Sequence, residues 1–315
     1  MYLKKLCIFT VVFIIFVFYS NRNSAPTPYY LKKSLNDLSN CNKSDYQKNL
    51  VKNLGLEMKN NNVIKVLIVI ITLFIYFSCD ANKRQELLES GLIKNKNRDF
   101  HGAIADYSEC IKLNPNDTEA YLNRGIAKAN LEDYSGAISD YTKCIDLDPE
   151  NSDVYFSRGW VNAKLEDYIG AITDYTRYIN SNSNDPNAYF NRGLTKANLD
   201  DYSGAISDYT KSIELDPENS GAYYNRGWTK ANLEDYSGAI SDYTKNIELD
   251  PENSGAYYGR GLAKANLDDY SGAISDYTEC IDLDPKNSDV YYSRGWVKAN
   301  LEDYSGAISD YTKNI

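Results

Sequence analysis

The chain has 315 residues, 43% of them hydrophobic and 25% charged, which supports a folded domain and excludes global disorder. Its formal charge of −10 is unevenly spread: residues 1–79 carry ten Lys/Arg against three Asp/Glu, so residues 80–315 carry −17. A part that acidic excludes nucleic-acid binding by phosphate neutralisation and favours solubility and basic partners.

Two apolar runs come first in the chain. Residues 6–19 follow Lys4 and Lys5, and residues 66–76 follow Lys59 and Lys65. A bilayer-spanning helix needs about 20 apolar residues. Runs of 14 and 11 suit signal-peptide cores better, and each has the basic leader such peptides carry. The only methionines are Met1 and Met58. Met58 opens the second leader, so it is a candidate start, and residues 1–57, Asn/Lys-rich and without repeats, read as an upstream extension. The rival reading has two membrane segments, with the basic loop 21–62 facing the cytoplasm. Either way residues 80–315 lie on the far side of the membrane.

The second run ends Ile75-Tyr76-Phe77-Ser78-Cys79-Asp80. Small Ser78 before Cys79 resembles the end of a bacterial lipoprotein signal peptide, although Tyr76 stands where that class carries an aliphatic residue. The resemblance implies a signal over residues 58–78, cleavage before Cys79, acylation of Cys79, and anchoring in a bacterial cell envelope. The bland alternative is an ordinary membrane anchor with an incidental cysteine. Residues 79–83 then form a short tether.

From Arg84 the chain repeats every 34 residues. Tyr134, Tyr168, Tyr202, Tyr236, Tyr270 and Tyr304 keep that spacing, each within Asp-Tyr-X-Gly-Ala-Ile. Units begin at Arg84, Thr118, Ser152, Pro186, Ser220, Ser254 and Ser288, and the seventh is shorter. Such a period is the signature of a solenoid. In the second unit, 118–130 reads as helix A and 134–147 as helix B, with Ala137, Tyr141 and Cys144 on one face. Asp133 suits the helix-B cap, Pro149 stops the helix, and Asn151 or Ser152 can cap the next helix A. Cys110, Cys144 and Cys280 fall at one repeat position, where equivalents in stacked units stand about 10 Å apart. That exceeds the reach of a disulfide, about 7 Å, so they read as small core residues.

The unit resembles a tetratricopeptide repeat: Tyr121, Gly125, Ala137, Tyr141 and Pro149 stand at the family's Trp, Gly, Ala, Phe and Pro. The resemblance covers 84–315. It implies an all-α, right-handed superhelical solenoid of stacked antiparallel helix hairpins, about seven units long. Three departures stand out. Arg124, Arg158, Arg192, Arg226, Arg260 and Arg294 replace the usual Leu, and Lys128 with its counterparts replaces a Tyr. The third unit has Ser183 in place of Pro, with Pro186 three residues on, which predicts an irregular joint before the fourth unit. Each Arg is expected to pair with a helix-B Asp such as Asp140 or Asp174.

No constellation for catalysis, metal or cofactor stands out. His101 is the only histidine, sits where most units have Ser, and reads as exposed and non-catalytic. There is no phosphate-cradling loop or nucleophile elbow. Residues 146–151 superficially resemble a calcium loop but lack its sixth-position Gly and twelfth-position Glu.

The family resemblance implies that helix A lines a concave binding surface. One row there is Leu122, Phe156, Phe190, Tyr224, Tyr258 and Tyr292. Four residues on comes Ile126, Trp160, Leu194, Trp228, Leu262 and Trp296, and Asn130, Asn198, Asn232, Asn266 and Asn300 lie near the end of that face. These aromatics serve either as core between hairpins or as a groove. The resulting expectation is a non-enzymatic, membrane-tethered scaffold for protein or peptide segments, without cofactor. The alternative is a structural envelope protein that self-associates through an uncapped C-terminal repeat.

Overall fold

In a computed structural model the described residues are 80–313. The expected extension 1–57, the signal 58–78 and the lipid site Cys79 lie outside them. The described residues fall into two compact units, one ending at Asn123 and the other beginning at Arg124. Among the described residues there are fourteen helices and no strand. They are α1 (80–96), α2 (Phe100–Leu113), α3 (Thr118–Asn130), α4 (Tyr134–Leu147), α5 (Ser152–Lys164), α6 (Tyr168–Ser181) and α7 (Pro186–Ala197). Then follow α8 (Tyr202–Leu215), α9 (Ser220–Asn232), α10 (Tyr236–Leu249), α11 (Ser254–Asn266), α12 (Tyr270–Leu283), α13 (Ser288–Asn300) and α14 (Tyr304–Tyr311). Odd-numbered helices are the A helices of the repeat and even-numbered ones the B helices. Residues 80–83, read from sequence as a tether, are part of α1. No described helix is long and apolar enough to cross a membrane.

One turn chemistry recurs between A and B helices. At the end of α3, Asp133 N–H donates to Lys128 O and Glu132 N–H to Ala129 O, both at 3.0 Å. That is the Schellman closure, which needs a left-handed residue and usually takes Gly. Here Glu132, Glu166, Asp200, Glu234, Asp268 and Glu302 take it, with φ between 59° and 65°. The next residue caps the B helix: Asp133, Asp167, Asp201, Asp235, Asp269 and Asp303 each accept a hydrogen bond from the Gly N–H three residues on. A left-handed L-residue costs about 1–2 kcal/mol. Glu234→Gly relieves that cost, partly offset by greater freedom of the unfolded chain. It should raise stability by a few tenths of a kcal/mol to about 1 kcal/mol, and a lowered melting temperature would contradict this.

The irregular joint expected between the third and fourth units is absent. Asn182 N–H donates to Tyr178 O, and Asp185 N–H to Asn182 O, as Asp148 and Asn151 do one unit earlier. Pro186 sits at the start of α7, where a missing N–H has no intrahelical partner to lose. Asp185 caps that helix, and Tyr178 Oη donates to Asp185 Oδ2 at 2.8 Å. The proline has moved three residues without changing the turn.

The core of the second compact unit is a stack of B-helix tyrosines under A-helix glycines. Tyr277 lies buried with Ala265, Ala273, Cys280, Val290 and Val297, and Tyr243 with Ala239, Ala256 and Ala263. A Cβ on Gly261 would stand 2.6 Å from Tyr277 Cε1. Gly261→Ala is therefore expected to cost about 1–3 kcal/mol, and an unchanged thermal melt would contradict that packing. Cys110, Cys144 and Cys280 are buried thiols outside any disulfide, and burial pushes each up to about 11. They are small core residues, as expected, and poor nucleophiles.

Candidate partner-binding face

Beneath the candidate face runs a ladder of buried ion pairs. The expected Arg–Asp pairing is present in six units: Arg124–Asp140, Arg158–Asp174, Arg192–Asp208, Arg226–Asp242, Arg260–Asp276 and Arg294–Asp310. Each is bidentate, Nε to Oδ2 at 2.8–3.0 Å and Nη2 to Oδ1 at 2.6–2.8 Å. Each aspartate is almost wholly buried. Lys128, Lys196, Lys230, Lys264 and Lys298 reach the same carboxylates at 2.8–2.9 Å. In the third unit Asn162 replaces the lysine and donates to Asp174 Oδ2 at 3.0 Å. Guanidinium Nη1 atoms also reach back sixteen residues to a B-helix threonine of the preceding unit, as in Arg226 to Thr210 and Arg260 to Thr244, both 3.1 Å. Sequence reasoning foresaw the aspartate but not the lysine or threonine. A lysine one helical turn after five of the six arginines was the available signal.

Burial pushes the Asp310 carboxyl up, but hydrogen bonds from Arg294 and Lys298 outweigh it and hold the group below its usual value. A depressed carboxyl contributes stability that is complete above its unfolded pKa, about 3.9, and lost as pH falls through the lower folded value. Amide-exchange protection of α14, corrected for intrinsic rates, should therefore fall only below about pH 4. Loss already near pH 6 would contradict the assignment.

On this ladder the two predicted rows separate. Phe156, Phe190, Tyr224 and Tyr258 are half-buried. Their rings pack on the buried B-helix tyrosines of their own hairpins: Phe156–Tyr175 at 5.6 Å, Phe190–Tyr209 at 6.0 Å, Tyr224–Tyr243 at 5.8 Å and Tyr258–Tyr277 at 6.0 Å. Tyr292 makes the same pair with Tyr311 but is 54% exposed. The other row is open at four positions: Trp160, Trp228 and Trp296 are 37%, 43% and 45% exposed, and Leu262 37%, while Ile126 and Leu194 are half-buried. Each tryptophan stands edge-on to a tyrosine of the preceding unit, Tyr134, Tyr202 or Tyr270, at 6.0–6.3 Å.

Asn198, Asn232 and Asn266 are exposed. Asn232 and Asn266 turn Nδ2 back to the carbonyls of Trp228 and Leu262 at 2.8 and 2.9 Å. A concavity of about 290 Å³ lies between α11 and α13, lined by Leu262, Ala265, Asn266, Tyr277, Ser293 and Trp296, with Tyr292 at its side. Ser293, which sequence reasoning passed over, is 3.3 Å from Tyr258 Oη. His101 is exposed on α2, as expected. Among the described residues no His/Cys/Asp/Glu group could hold a metal ion.

Hairpins of one length, closed by one turn and stacked through one ladder, define an all-α repeat solenoid, a class that serves protein–protein interaction. Tetratricopeptide repeat profiles match residues 87–117, 118–151, 186–219, 208–241 and 254–287. The chain is a tetratricopeptide repeat protein. Comparison with curated protein sequences gives no match. Among solved structures, the C-terminal part of a repeat-containing protein from Cytophaga hutchinsonii is similar, with a TM-score of 0.64 and 19% identity over 72% of this chain and 93% of that one. YrrB, described as a tetratricopeptide repeat protein with an unusual peptide-binding site, gives 0.54 and 19% over 62% and 97%. MamA gives 0.52 and 24% over 55% and 94%. At these identities the likeness is one of fold.

Proposed function

We propose that the chain is a non-enzymatic scaffold, held at a bacterial envelope membrane with its repeats on the non-cytoplasmic side, that binds protein or peptide segments on the A-helix face. The observation that carries this reading is the open row of Trp160, Trp228, Leu262 and Trp296 beside the α11–α13 concavity. Large apolar side chains left in contact with water on one face are what a partner would cover. The peptide-binding site described for YrrB supports the same use of the fold. The tether is supported by the short apolar run ending in Ser78-Cys79 and by its basic leader.

Two measurements test the two halves. A photo-crosslinking residue at position 228 should capture a partner from native membranes, while one at exposed Glu248 on the B-helix side should not. Equal capture at both positions, or none, would overturn the assignment of the face, and capture of a second copy would make self-association the function. Intact-mass analysis of membrane-purified protein should find an acylated chain starting at Cys79. A soluble product, or one retaining residues 1–57, would defeat the tether, since durable anchoring takes more than one acyl chain.

A further inference from the structure

The three tryptophans share one environment and differ in the residue one turn on. In the third unit that residue is Lys164, whose Nζ lies 5.3 Å from the Trp160 ring centroid. At that distance an ammonium is attracted by the negative face of the indole. In the fifth and seventh units the position holds Asn232 and Asn300. Both amides donate Nδ2 to the tryptophan backbone carbonyl at 2.8 Å, and their oxygens remain acceptors one helical turn from the tryptophan. The other cations of these helices, Arg226 with Lys230 and Arg294 with Lys298, are committed to Asp242 and Asp310. Among the described residues none of the cation–ring contacts falls on Trp228 or Trp296. Each of these rings, with its T-shaped tyrosine, repeats the geometry that seats a lysine in the third unit, but without the lysine.

We propose that Trp228 and Trp296 are seats for two Lys or Arg side chains of one extended basic segment of a partner protein. The proposal rests on the reading of this face as the binding face and names the chemistry it selects. The −17 charge of residues 80–315 draws such a segment in, and the oxygens of the exposed Asn232 and Asn300 amides can accept from its ammonium groups. The ladder lysines, tied to aspartates, offer little to an anionic ligand. The seats are two units apart. At 8–10 Å per packed helix they stand about 16–20 Å apart, about six residues of extended chain, and an even spacing keeps both side chains on one side.

The test uses the full-length chain in a neutral detergent and labelled synthetic peptides followed by fluorescence anisotropy. One peptide carries two lysines six residues apart in a Ser/Gly background; the others carry Gln, Leu or Glu at those positions. The lysine peptide should bind on the order of tenfold more tightly than the glutamine one. It should also perturb the tryptophan emission, since all three tryptophans lie on this face. Asn232→Lys with Asn300→Lys supplies the cations from within, as in the third unit, and should abolish the lysine preference while the helical CD melt stays unchanged. Equal affinity of the lysine and glutamine peptides, a preference for glutamate, or a lysine preference that survives the double variant would overturn the proposal. Binding of the leucine peptide in any of those cases leaves the binding face standing. Failure of all four peptides would sink both.

Discussion

Asp242→Ala should destabilise the array by about 3–5 kcal/mol, the cost of stranding buried charge. Three cationic contacts converge on this carboxylate: two from Arg226, at 2.9 and 2.6 Å, and one from Lys230 at 2.8 Å. Arg226 and Lys230 are themselves mostly covered. Deleting the anion leaves two cations facing each other at the base of α9. If the cost comes from stranded charge, removing the whole group should undo most of it, and Asp242→Leu with Arg226→Met and Lys230→Met should recover to near the parent or above. Denaturant unfolding of the three variants decides the matter. A solenoid need not unfold in one step, so site-resolved hydrogen exchange at α9 and α10 should accompany it. A triple variant no more stable than Asp242→Ala would mean that the group fixes geometry that apolar side chains cannot reproduce.

Tyr224→Ala with Tyr258→Ala should lower the melting temperature sharply, whereas Trp228→Leu with Trp296→Leu should leave it nearly unchanged and abolish partner binding. The difference follows from where the two rows lie. Tyr224 and Tyr258 are half-buried, and each packs against a buried ring, Tyr243 or Tyr277. Their removal costs burial and an aromatic contact, about 2–3 kcal/mol each. The tryptophans are more than a third exposed, and the fourth and sixth units already carry Leu there. Melting and affinity measured on both pairs would separate core from surface. A Tyr pair that melts normally, or a Trp pair that unfolds, would invert this assignment.

Much of the fold was legible because the period is unbroken. A 34-residue spacing of tyrosines, an Asp before each B helix and a small residue at each close approach lead to the observed helix limits with little freedom. The Arg–Asp pairs were legible for the same reason, since an arginine in place of an apolar residue on a packed face requires a partner. The proline displacement misled: a missing helix stop reads as disorder in the pattern, but the B helix ends through its backbone capping bond, and Pro186 serves the next helix instead. The candidate face was only half legible. Spacing placed both aromatic rows on helix A, but which row the neighbouring B helix covers depends on how the hairpins lean together, and periodicity carries no such information. The Asn amides folded back onto carbonyls one turn earlier, and Ser293 beside Tyr258, were equally invisible without the packing.

The backward reach of Arg158, Arg192, Arg226, Arg260 and Arg294 to a threonine in the unit before makes the joints between the second and seventh units interchangeable. A gene assembled from such parts can gain or lose units through copying slippage without any joint having to be reinvented. The order of large side chains on the open face is less forgiving: Trp, Leu, Trp, Leu, Trp from the third unit to the seventh. Only insertions or deletions of pairs keep that alternation. Natural length variants of this array should therefore differ by even numbers of units, lengthening a molecular ruler without changing the distance between its marks.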